Sequence, residues 1–188
     1  MANMAITKRA IHSAFMELLN ERTLNKITVK DITDRCGINR NTFYYHYQDI
    51  PALVEEICAG EVERVVREYP SVHSLEECLT TLCSYAMKNR RAILHIYYSD
   101  NRLTYVNSLW RMCEHTATAF IDTLFAGRGL SERDKTLLIR YYKYECYGLI
   151  VDWISSGMKE DMLEDIHRIC YLKQEAPEEV LRRSSANN

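Results

Sequence analysis

The sequence predicts an all-α protein with a small N-terminal head, residues 1–50, and a larger helical body, residues 51–188. Two observations carry this prediction. Glycine and proline, the residues that break helices, number only six and three among 188 residues. Apolar residues recur three and four positions apart along most of the chain, and no run alternates apolar and polar residues as a strand would.

The first predicted helix covers residues 7–20. Its residues Ile11, Phe15 and Leu18 form the apolar stripe of a helix that packs on one side only. Residues 21–27 follow as a mostly polar connection. We expect this helix to complete the core of the head, because the two short helices that come next cannot bury a core alone.

Residues 28–47 are predicted to form two short helices joined by a tight turn. Thr28 is expected to cap the first helix, because Asp31 completes a Thr-x-x-Asp capping box. Gly37 is expected to end that helix, since glycine accepts a left-handed backbone. Asn39 is expected to cap the second helix.

The second of these helices carries an unusual outward face. Phe43 and Tyr47 lie four residues apart and are expected to pack on the first helix. The side chains left to point outward are Arg40, Asn41, Thr42, Tyr44, Tyr45 and His46. Arginine and asparagine fork onto base edges, while tyrosine and histidine reach phosphates, so this face suits a DNA groove. Two helices across a glycine turn, the second bearing such groups, predict a helix-turn-helix. An aromatic surface patch or a contact between domains is the plainer alternative.

The string TFYYHY at residues 42–47, in register with the capping box and the turn glycine, resembles the DNA-binding domain of TetR-type transcriptional regulators. The resemblance covers residues 7–53, a quarter of the chain. It implies a regulator that binds double-stranded DNA, at a palindromic operator, through the helix-turn-helix.

The resemblance also assigns roles to single residues. Positions that face bases match Arg40, Asn41, Thr42 and Tyr45, whereas positions that hold the phosphate backbone match Thr28, Tyr44 and His46. Lys30 is a further candidate for the groove or the backbone, and the capping residue Asn39 completes the predicted DNA-binding set.

One position departs from the family pattern. Many members carry a lysine near the start of the fourth helix that grips a phosphate, and Ile50 stands there in this chain. We therefore expect backbone affinity to rest more on Lys8, Arg9 and the N–H groups at the helix start near Asp49. The charge distribution agrees, since residues 1–50 carry a net +2 and residues 51–188 a net −4.

The body is predicted to be a series of helices with a polar, frayed tail from Glu175 onward. Asp49 is a plausible N-cap for the first of them, with Pro51 in its first turn, and Ser74 and Ser131 are expected to cap later ones. The predicted helices cover residues 52–69, 74–89, 91–99, 103–126, 131–155 and 159–173.

The helix at 131–155 is apolar or aromatic on nearly every side in its second half, so it needs packing partners on both faces. A symmetric second copy of the chain is the economical partner, which predicts a homodimer. We assign Leu149, Trp153 and Ile166 to its interface. The family resemblance likewise implies that the last two long helices pair with those of a second subunit.

The resemblance further implies a cavity for a small-molecule effector inside the body. Aromatic walls with a few polar tips are common in such sites. On this ground we assign the cavity to Tyr85, Tyr98, Trp110, Glu114 and Tyr144. Ordinary core and interface tyrosines, with Glu114 in solvent, are the alternative.

Several classes of site are not indicated by the sequence. It has no GxSxG, GxGxxG, P-loop or HExxH motif, so we expect no enzyme and no cofactor. The histidines are scattered along the chain, so we expect no metal site. The seven cysteines form no CxxC pair, and we interpret them as reduced core residues, with a redox-sensing thiol as the alternative. The sequence has no stretch of about 18 apolar residues, the length that a membrane-spanning helix needs, and no apolar signal core near its N-terminus. We therefore expect a cytoplasmic protein.

Three classes of function remain. The leading one is a repressor that binds an inverted repeat as a dimer and is released by a small molecule. The second is the same fold acting as an activator, or with a protein partner in place of the effector. The third is a helical enzyme or carrier. Saturable, salt-sensitive binding to a palindromic duplex separates the first two from the third.

Overall fold

The computed structural model describes residues 2–69, 74–159, 161–173 and 176–185. Within these ranges the secondary structure is helical, with ten α-helices and one 3₁₀ turn, and no strand. This confirms the predicted all-α class. The helices are α1 (Ala2–Glu21), α2 (Val29–Cys36), α3 (Arg40–His46), α4 (Ile50–Glu68), α5 (Leu75–Lys88), α6 (Arg90–Tyr97), α7 (Arg102–Leu124), α8 (Glu132–Ser155), α9 (Met162–Leu172) and α10 (Ala176–Ser185).

The chain divides into two compact units. Unit 1 comprises residues up to 61 together with 89–108, and unit 2 comprises residues 62–88 and the chain from 109 onward. Helices α4 and α7 contribute residues to both units. The sequence-based boundary at residue 50 marks the DNA-binding module and stays a prediction.

The core of unit 1 is built around α1, α2 and α3. Phe15, Ile32, Phe43 and Leu53 are fully buried in one cluster, as the periodicity of these helices predicted. Burying a phenylalanine or leucine side chain contributes about 1.5–3 kcal/mol. These residues therefore fix the relative positions of α1, α2, α3 and α4, of which α2 and α3 are too short to be stable alone.

Helix α6 completes that core, which the sequence did not predict. Its residues Ala92 and Ile96 are buried in the same cluster as the helix-turn-helix core. The ring of His95 is hydrogen-bonded through Nδ1 to the Leu19 carbonyl oxygen at 2.6 Å. The helix thus belongs to the unit that carries the head, although it follows α5 in the chain.

Unit 2 is formed by α5, most of α7, α8, α9 and α10, and α5 packs along α9. Its most deeply buried large residues include Ile121, Trp153 and Ile154. Ser131 caps α8, since its hydroxyl accepts a hydrogen bond from the Asp134 amide at 3.1 Å, as predicted.

Two predicted elements are corrected by the structure. The connection at 21–27 contains a 3₁₀ turn, Leu24–Lys26, and its residues Leu24 and Ile27 are buried, so the connection contributes to the core of unit 1. The predicted frayed tail contains α10. Polar contacts hold this helix in place, because Arg128 forms an ion pair with Glu178 at 2.7 Å and Ser184 is hydrogen-bonded to Asp134.

Candidate nucleic-acid interface and ligand pocket

The helix-turn-helix begins with the predicted capping box. The Asp31 amide donates to Thr28 Oγ1 at 3.2 Å, and the Thr28 amide donates to Asp31 Oδ2 at 2.8 Å. The hydrogen bonds from Thr28 are the main reason why the pKa of Asp31 lies below its ordinary value, and Arg22 at 3.1 Å adds to the effect. The start of α2 is therefore fixed by local contacts.

The turn between α2 and α3 is equally well defined. Gly37 has a φ of 69°, in the left-handed region that glycine accepts without strain, so it ends α2 as predicted. Asn39 then caps α3, because its Oδ1 accepts from the amide of Thr42 at 2.8 Å and from the Thr42 hydroxyl at 3.0 Å. Asn39 and Thr42 thus set the direction of α3.

The outward face of α3 matches the predicted one. Arg40, Asn41, Tyr44 and Tyr45 are exposed, while Thr42 and His46 are half-buried. Tyr45 is 75% exposed, a high value for an aromatic side chain. Phe43 and Tyr47 point the other way and are buried, so one short helix presents a polar, aromatic face on a rigid apolar base.

The basic side chains of unit 1 divide into two groups. Arg35 forms an ion pair with Glu21 at 2.8 Å, and Lys8 forms one with Glu56 at 2.6 Å. Lys30 and Arg40, by contrast, are exposed and form no ion pair with any residue that the structure describes. Lys30 and Arg40 are therefore available to DNA, and so is the exposed Arg9, whose Nε donates to the Ala5 carbonyl oxygen of its own helix. Lys8, expected from the sequence to grip a phosphate, has a carboxylate partner within its own chain.

A hydrogen-bonded cluster lies beside the buried side of α3, and sequence reasoning missed it. Glu56 on α4 accepts from the Tyr47 hydroxyl at 2.7 Å and from Lys8 Nζ at 2.6 Å. His12 Nε2 lies 3.0 Å from the Tyr47 hydroxyl and 3.3 Å from Glu56. The four side chains join α1, the end of α3 and α4. The sequence signal for this cluster was the spacing of Lys8 and His12, which lie four residues apart and therefore on one face of α1.

Unit 2 contains a pocket of about 270 Å³. Its walls come from α5, α7, α8, α9 and α10. The lining residues are Ser74, Leu75, Glu76, Leu79, Phe120, Tyr142, Glu145, Cys146, Leu149, Ile166, Ile169, Cys170, Lys173 and Pro177. The five residues assigned from the sequence to an effector site are not among the residues that line this pocket.

Three of those five residues form a cluster of their own. Trp110 contacts Tyr144 with ring centroids 5.4 Å apart, and the ammonium of Lys143 lies 4.3 Å from the Trp110 ring. Glu114 pairs with the same ammonium at 2.9 Å. The cation of Lys143 thus already occupies the space between the aromatic faces and the carboxylate.

The other two residues have separate surroundings. The guanidinium of Arg64 lies 4.5 Å from the ring of Tyr85 in unit 2. Tyr98 belongs to unit 1, where it is 64% exposed and meets the edge of Tyr97. An effector role for Tyr85, Tyr98, Trp110, Glu114 and Tyr144 stays a prediction.

The residues assigned to the dimer interface have mixed positions. Trp153 and Ile166 are 2% and 3% exposed in a single chain, so they fill the core of unit 2 and offer no surface to a partner. Leu149 is half-buried and lines the pocket. Helical periodicity marked these residues as apolar and could not tell which of two apolar faces meets its own chain.

The exposed apolar side of α8 is formed by other residues. Leu137, Tyr141 and Tyr144 are 50%, 56% and 54% exposed, and they follow one another at helical spacing. This stripe is the surface of α8 that a second chain could cover.

The cysteines and histidines do not form a reactive or metal site among the described residues. No group of three His, Cys, Asp or Glu side chains within them is placed to hold a metal ion. All seven cysteines are free. Burial raises the pKa of Cys78 and Cys83 to about 11 and that of Cys146 to about 12, so these thiols are protonated core residues at neutral pH.

None of the described helices is long and apolar enough to cross a membrane.

Comparison with known proteins agrees with this architecture. A curated relative, the "HTH-type dhaKLM operon transcriptional activator DhaS" of Lactococcus lactis subsp. lactis (strain IL1403), is 25% identical over 95 residues. That segment covers 50% of this chain and 51% of the relative, so the chain matches about half of that protein's length.

Two solved structures share the fold. One is described as "Dihydroxyacetone kinase operon activator DhaS", with a TM-score of 0.75, 19% identity, and coverage of 97% of this chain and 98% of that one. The other is Salmonella enterica GusR, with a TM-score of 0.59, 15% identity, and coverage of 94% and 95%.

Two family matches account for most of the chain. Residues 11–57 match the family described as "Bacterial regulatory proteins, tetR family", and residues 73–174 match the one described as "Transcriptional regulator C-terminal region" of TetR type. The first lies on the helix-turn-helix and the second covers more than half of the sequence. The chain therefore belongs to the TetR family of bacterial transcriptional regulators.

Proposed function

We propose that this protein is a ligand-responsive repressor that binds an inverted-repeat operator as a homodimer and leaves it when a small molecule binds. The observation that carries the proposal is the outward face of α3. An arginine, an asparagine and two tyrosines are exposed there on a helix that is capped at its start and buried on its other side. Such a face serves recognition, because exposed aromatic residues gain nothing from solvent.

Within this face the side chains divide into base readers and phosphate contacts. The guanidinium of Arg40 has no ion-pair partner among the residues that the structure describes and fits the two acceptors of guanine, and Asn41 fits adenine. Tyr45 and Thr42 are assigned to base edges beside them. Thr28, Tyr44 and His46 are assigned to the phosphate backbone, where they fix the register without reading sequence. Lys30 is assigned to the groove or the backbone, and Asn39 completes the set.

The homodimer rests on the exposed stripe of α8. Leu137, Tyr141 and Tyr144 leave apolar surface in solvent in a single chain, and a two-fold copy would cover it. Two recognition helices about 34–36 Å apart then require half-sites about one helical turn apart.

The effector is assigned to the pocket of unit 2. The pocket is mostly apolar with a few charged groups, the composition that small-molecule sites share. No catalytic role is proposed, since the family consists of regulators.

Selection of bound duplexes from a random pool tests the DNA-binding part. The expected result is an enriched inverted repeat whose half-sites lie about one turn apart. An enriched direct repeat or single half-site would contradict the dimer, and recovery of no sequence above background would contradict sequence-specific DNA binding.

Activation is the second candidate, because both DhaS relatives are described as activators of an operon. A transcriptional reporter under the selected site separates the two. Repression predicts that deletion of the regulator raises the signal, and activation predicts that deletion lowers it. A body that binds a partner protein in place of a small molecule is favoured if no compound from a broad thermal-shift panel changes DNA affinity.

A further inference from the structure

We infer that the pocket of unit 2 binds a small organic cation, an ammonium group carrying a compact apolar substituent, with Glu145 as its counterion. The inference rests on the proposed function, because it names the chemical class of the effector. It is drawn from the size of the pocket, from the charges on its wall and from the way in which the protein binds an ammonium of its own at that wall.

The size and apolar walls of the pocket define the body of the ligand. At about 270 Å³ it lies just below the range of about 300–1,000 Å³ that is common for ligand sites. Eight of the fourteen lining residues have aliphatic or aromatic side chains, among them Leu75, Phe120, Tyr142 and Leu149. The fitting ligand is therefore small, with an apolar part such as one phenyl ring and a short chain.

The charged groups on the wall favour a positive ligand. Two carboxylates, Glu76 and Glu145, and one ammonium, Lys173, line the pocket, which leaves a net negative charge. Glu76 Oε1 also lies 2.7 Å from Nδ1 of His167, an exposed residue outside the lining. A ligand carboxylate would meet two like charges and one ammonium that already has a partner. Charges in a partly desolvated wall interact more strongly than charges in bulk water.

The contacts of Lys173 show how this wall binds an ammonium. Its Nζ lies 2.6 and 2.9 Å from the two oxygens of Glu145. The same ammonium lies 4.6 Å from the ring centroid of Tyr142 and 4.9 Å from that of Tyr141, within the range of cation–π attraction. A carboxylate and two aromatic rings thus surround one cation at the edge of the cavity.

A ligand ammonium can take the place of this side chain. Lys173 directly follows α9 and reaches the site on a flexible four-carbon stem, so it can move its charge into solvent. Glu145 lies in the middle of α8, so its backbone is held by the helix on both sides. The ligand would then gain the same carboxylate and the same rings, together with the burial of its apolar part, which lysine does not provide.

Three probes of nearly equal size test the ligand class: 3-phenylpropylammonium, 3-phenylpropan-1-ol and 3-phenylpropanoate. Isothermal titration of each into the full-length protein measures the affinities. The ammonium is expected to bind at least about tenfold more tightly than the alcohol, and the carboxylate is expected to bind most weakly. A carboxylate that binds most tightly, three equal affinities, or no binding by any probe would overturn the inference.

Two variants test the counterion. Glu145→Gln keeps the shape of the side chain and should remove the preference for the ammonium while leaving the affinity for the alcohol within about twofold. Asp122→Asn is the matched control, because Asp122 forms the same kind of ion pair, with Lys135 at 2.7 Å, and does not line the pocket. The control variant should keep the preference. If both variants lose it, or if neither does, Glu145 is not the counterion.

Lys173→Met provides a change in the opposite direction. It removes the competing ammonium, so 3-phenylpropylammonium should bind more tightly than it does to the wild type. Weaker binding would contradict the exchange of Lys173 for the ligand. Retained affinity for the alcohol shows that the pocket of each variant is folded.

Separate measurements test the ligand class and the proposed function. DNA affinity is followed by fluorescence anisotropy on the duplex obtained from the random pool, with and without the ammonium probe. Binding of the probe with unchanged DNA affinity would confirm the ligand class and contradict ligand-responsive regulation. Sequence-specific DNA binding without any preference for the ammonium would contradict the ligand class alone.

Discussion

The phenol of Tyr47, which directly follows the recognition helix α3, donates a hydrogen bond of 2.7 Å to Glu56 on α4. Lys8 and His12 of α1 contact the same carboxylate. Burial by itself would raise the pKa of Glu56, but the hydrogen bonds from Lys8 and Tyr47 outweigh that effect, and its pKa lies below the ordinary value. An ionised Glu56 therefore joins the end of α3 to two neighbouring helices.

The first prediction concerns this link. Tyr47→Phe removes one hydroxyl and keeps the buried ring, so it should lower the free energy of unfolding by about 1 kcal/mol. DNA affinity should fall by a similar factor on every duplex, since the residue orients α3 and touches no base. Urea unfolding and anisotropy measure the two effects. Tyr171→Phe, at a residue 62% exposed in unit 2, is the control and should change neither. An altered ranking of duplexes in the Tyr47 variant would contradict a purely positioning role.

The second prediction concerns pH. Burial is the main reason why the pKa of His12 lies below its ordinary value, although Glu56 acts in the opposite direction. The unfolded chain therefore binds a proton at His12 more readily than the folded chain does. Stability should fall as the pH drops through about 6.5, where the unfolded histidine titrates. Glu56 also stabilises the folded chain, and this contribution is lost at a lower pH than that of His12. The pKa of Glu56 is depressed in the folded protein, so the stabilisation is lost only as the pH falls through this folded pKa.

Urea titrations at pH 7.5, 6.5 and 5.5 measure this dependence. His12→Gln should flatten the loss of stability between the first and last of these values, because its side chain does not titrate. A variant with the wild-type slope would show that His12 does not carry the effect.

The third prediction concerns base recognition. Arg40 is exposed and forms no ion pair with the described residues, so its guanidinium is free to fork onto guanine. Arg40→Ala should lose about 1–3 kcal/mol on the preferred duplex and relax the choice of base at one position in each half-site. Anisotropy on a set of single-base variants measures this.

Tyr44→Phe provides the contrast for Arg40. It removes one hydroxyl that we assign to a phosphate, so it should weaken binding to all duplexes nearly alike. If Arg40→Ala ranks the duplexes as the wild type does, Arg40 does not read a base.

The fourth prediction concerns the dimer. Leu137→Glu places a charge on the exposed stripe of α8, where it stays in contact with solvent in a monomer and must be desolvated in a dimer. The dimer dissociation constant should rise by at least about tenfold, which corresponds to about 1.4 kcal/mol. Sedimentation velocity over a concentration series measures it. Leu103→Glu, at a residue 70% exposed in unit 1, is the control and should leave association unchanged.

Trp153→Glu should behave differently from both. Trp153 is buried inside its own chain, so an unpaired charge there should cost several kcal/mol of folding stability and give unfolded or aggregated protein. If this variant is a well-folded monomer, Trp153 belongs to the dimer interface and not to the core of its own chain.

The sequence by itself determined the features that depend on contacts within one helical turn. The capping box of Thr28 and Asp31, the left-handed Gly37 and the cap at Asn39 each involve residues two to four positions apart. The side chains of Thr28, Asp31 and Asn39 make these contacts locally, because each accepts a hydrogen bond from a backbone amide of its own helix start. The outward face of α3 could be predicted for the same reason, since Phe43 and Tyr47 alone can turn inward on so short a helix.

Tertiary structure decided the features that join distant segments. Periodicity marks Trp153 and Leu137 alike as apolar, and only the packing of α8 in unit 2 buries the first and exposes the second. The pairing of Lys173 with Glu145, and of Lys8 with Glu56, depends on which helices lie side by side. A long charged side chain can reach any of several partners, and its choice is fixed by the arrangement of whole helices, which local sequence does not encode.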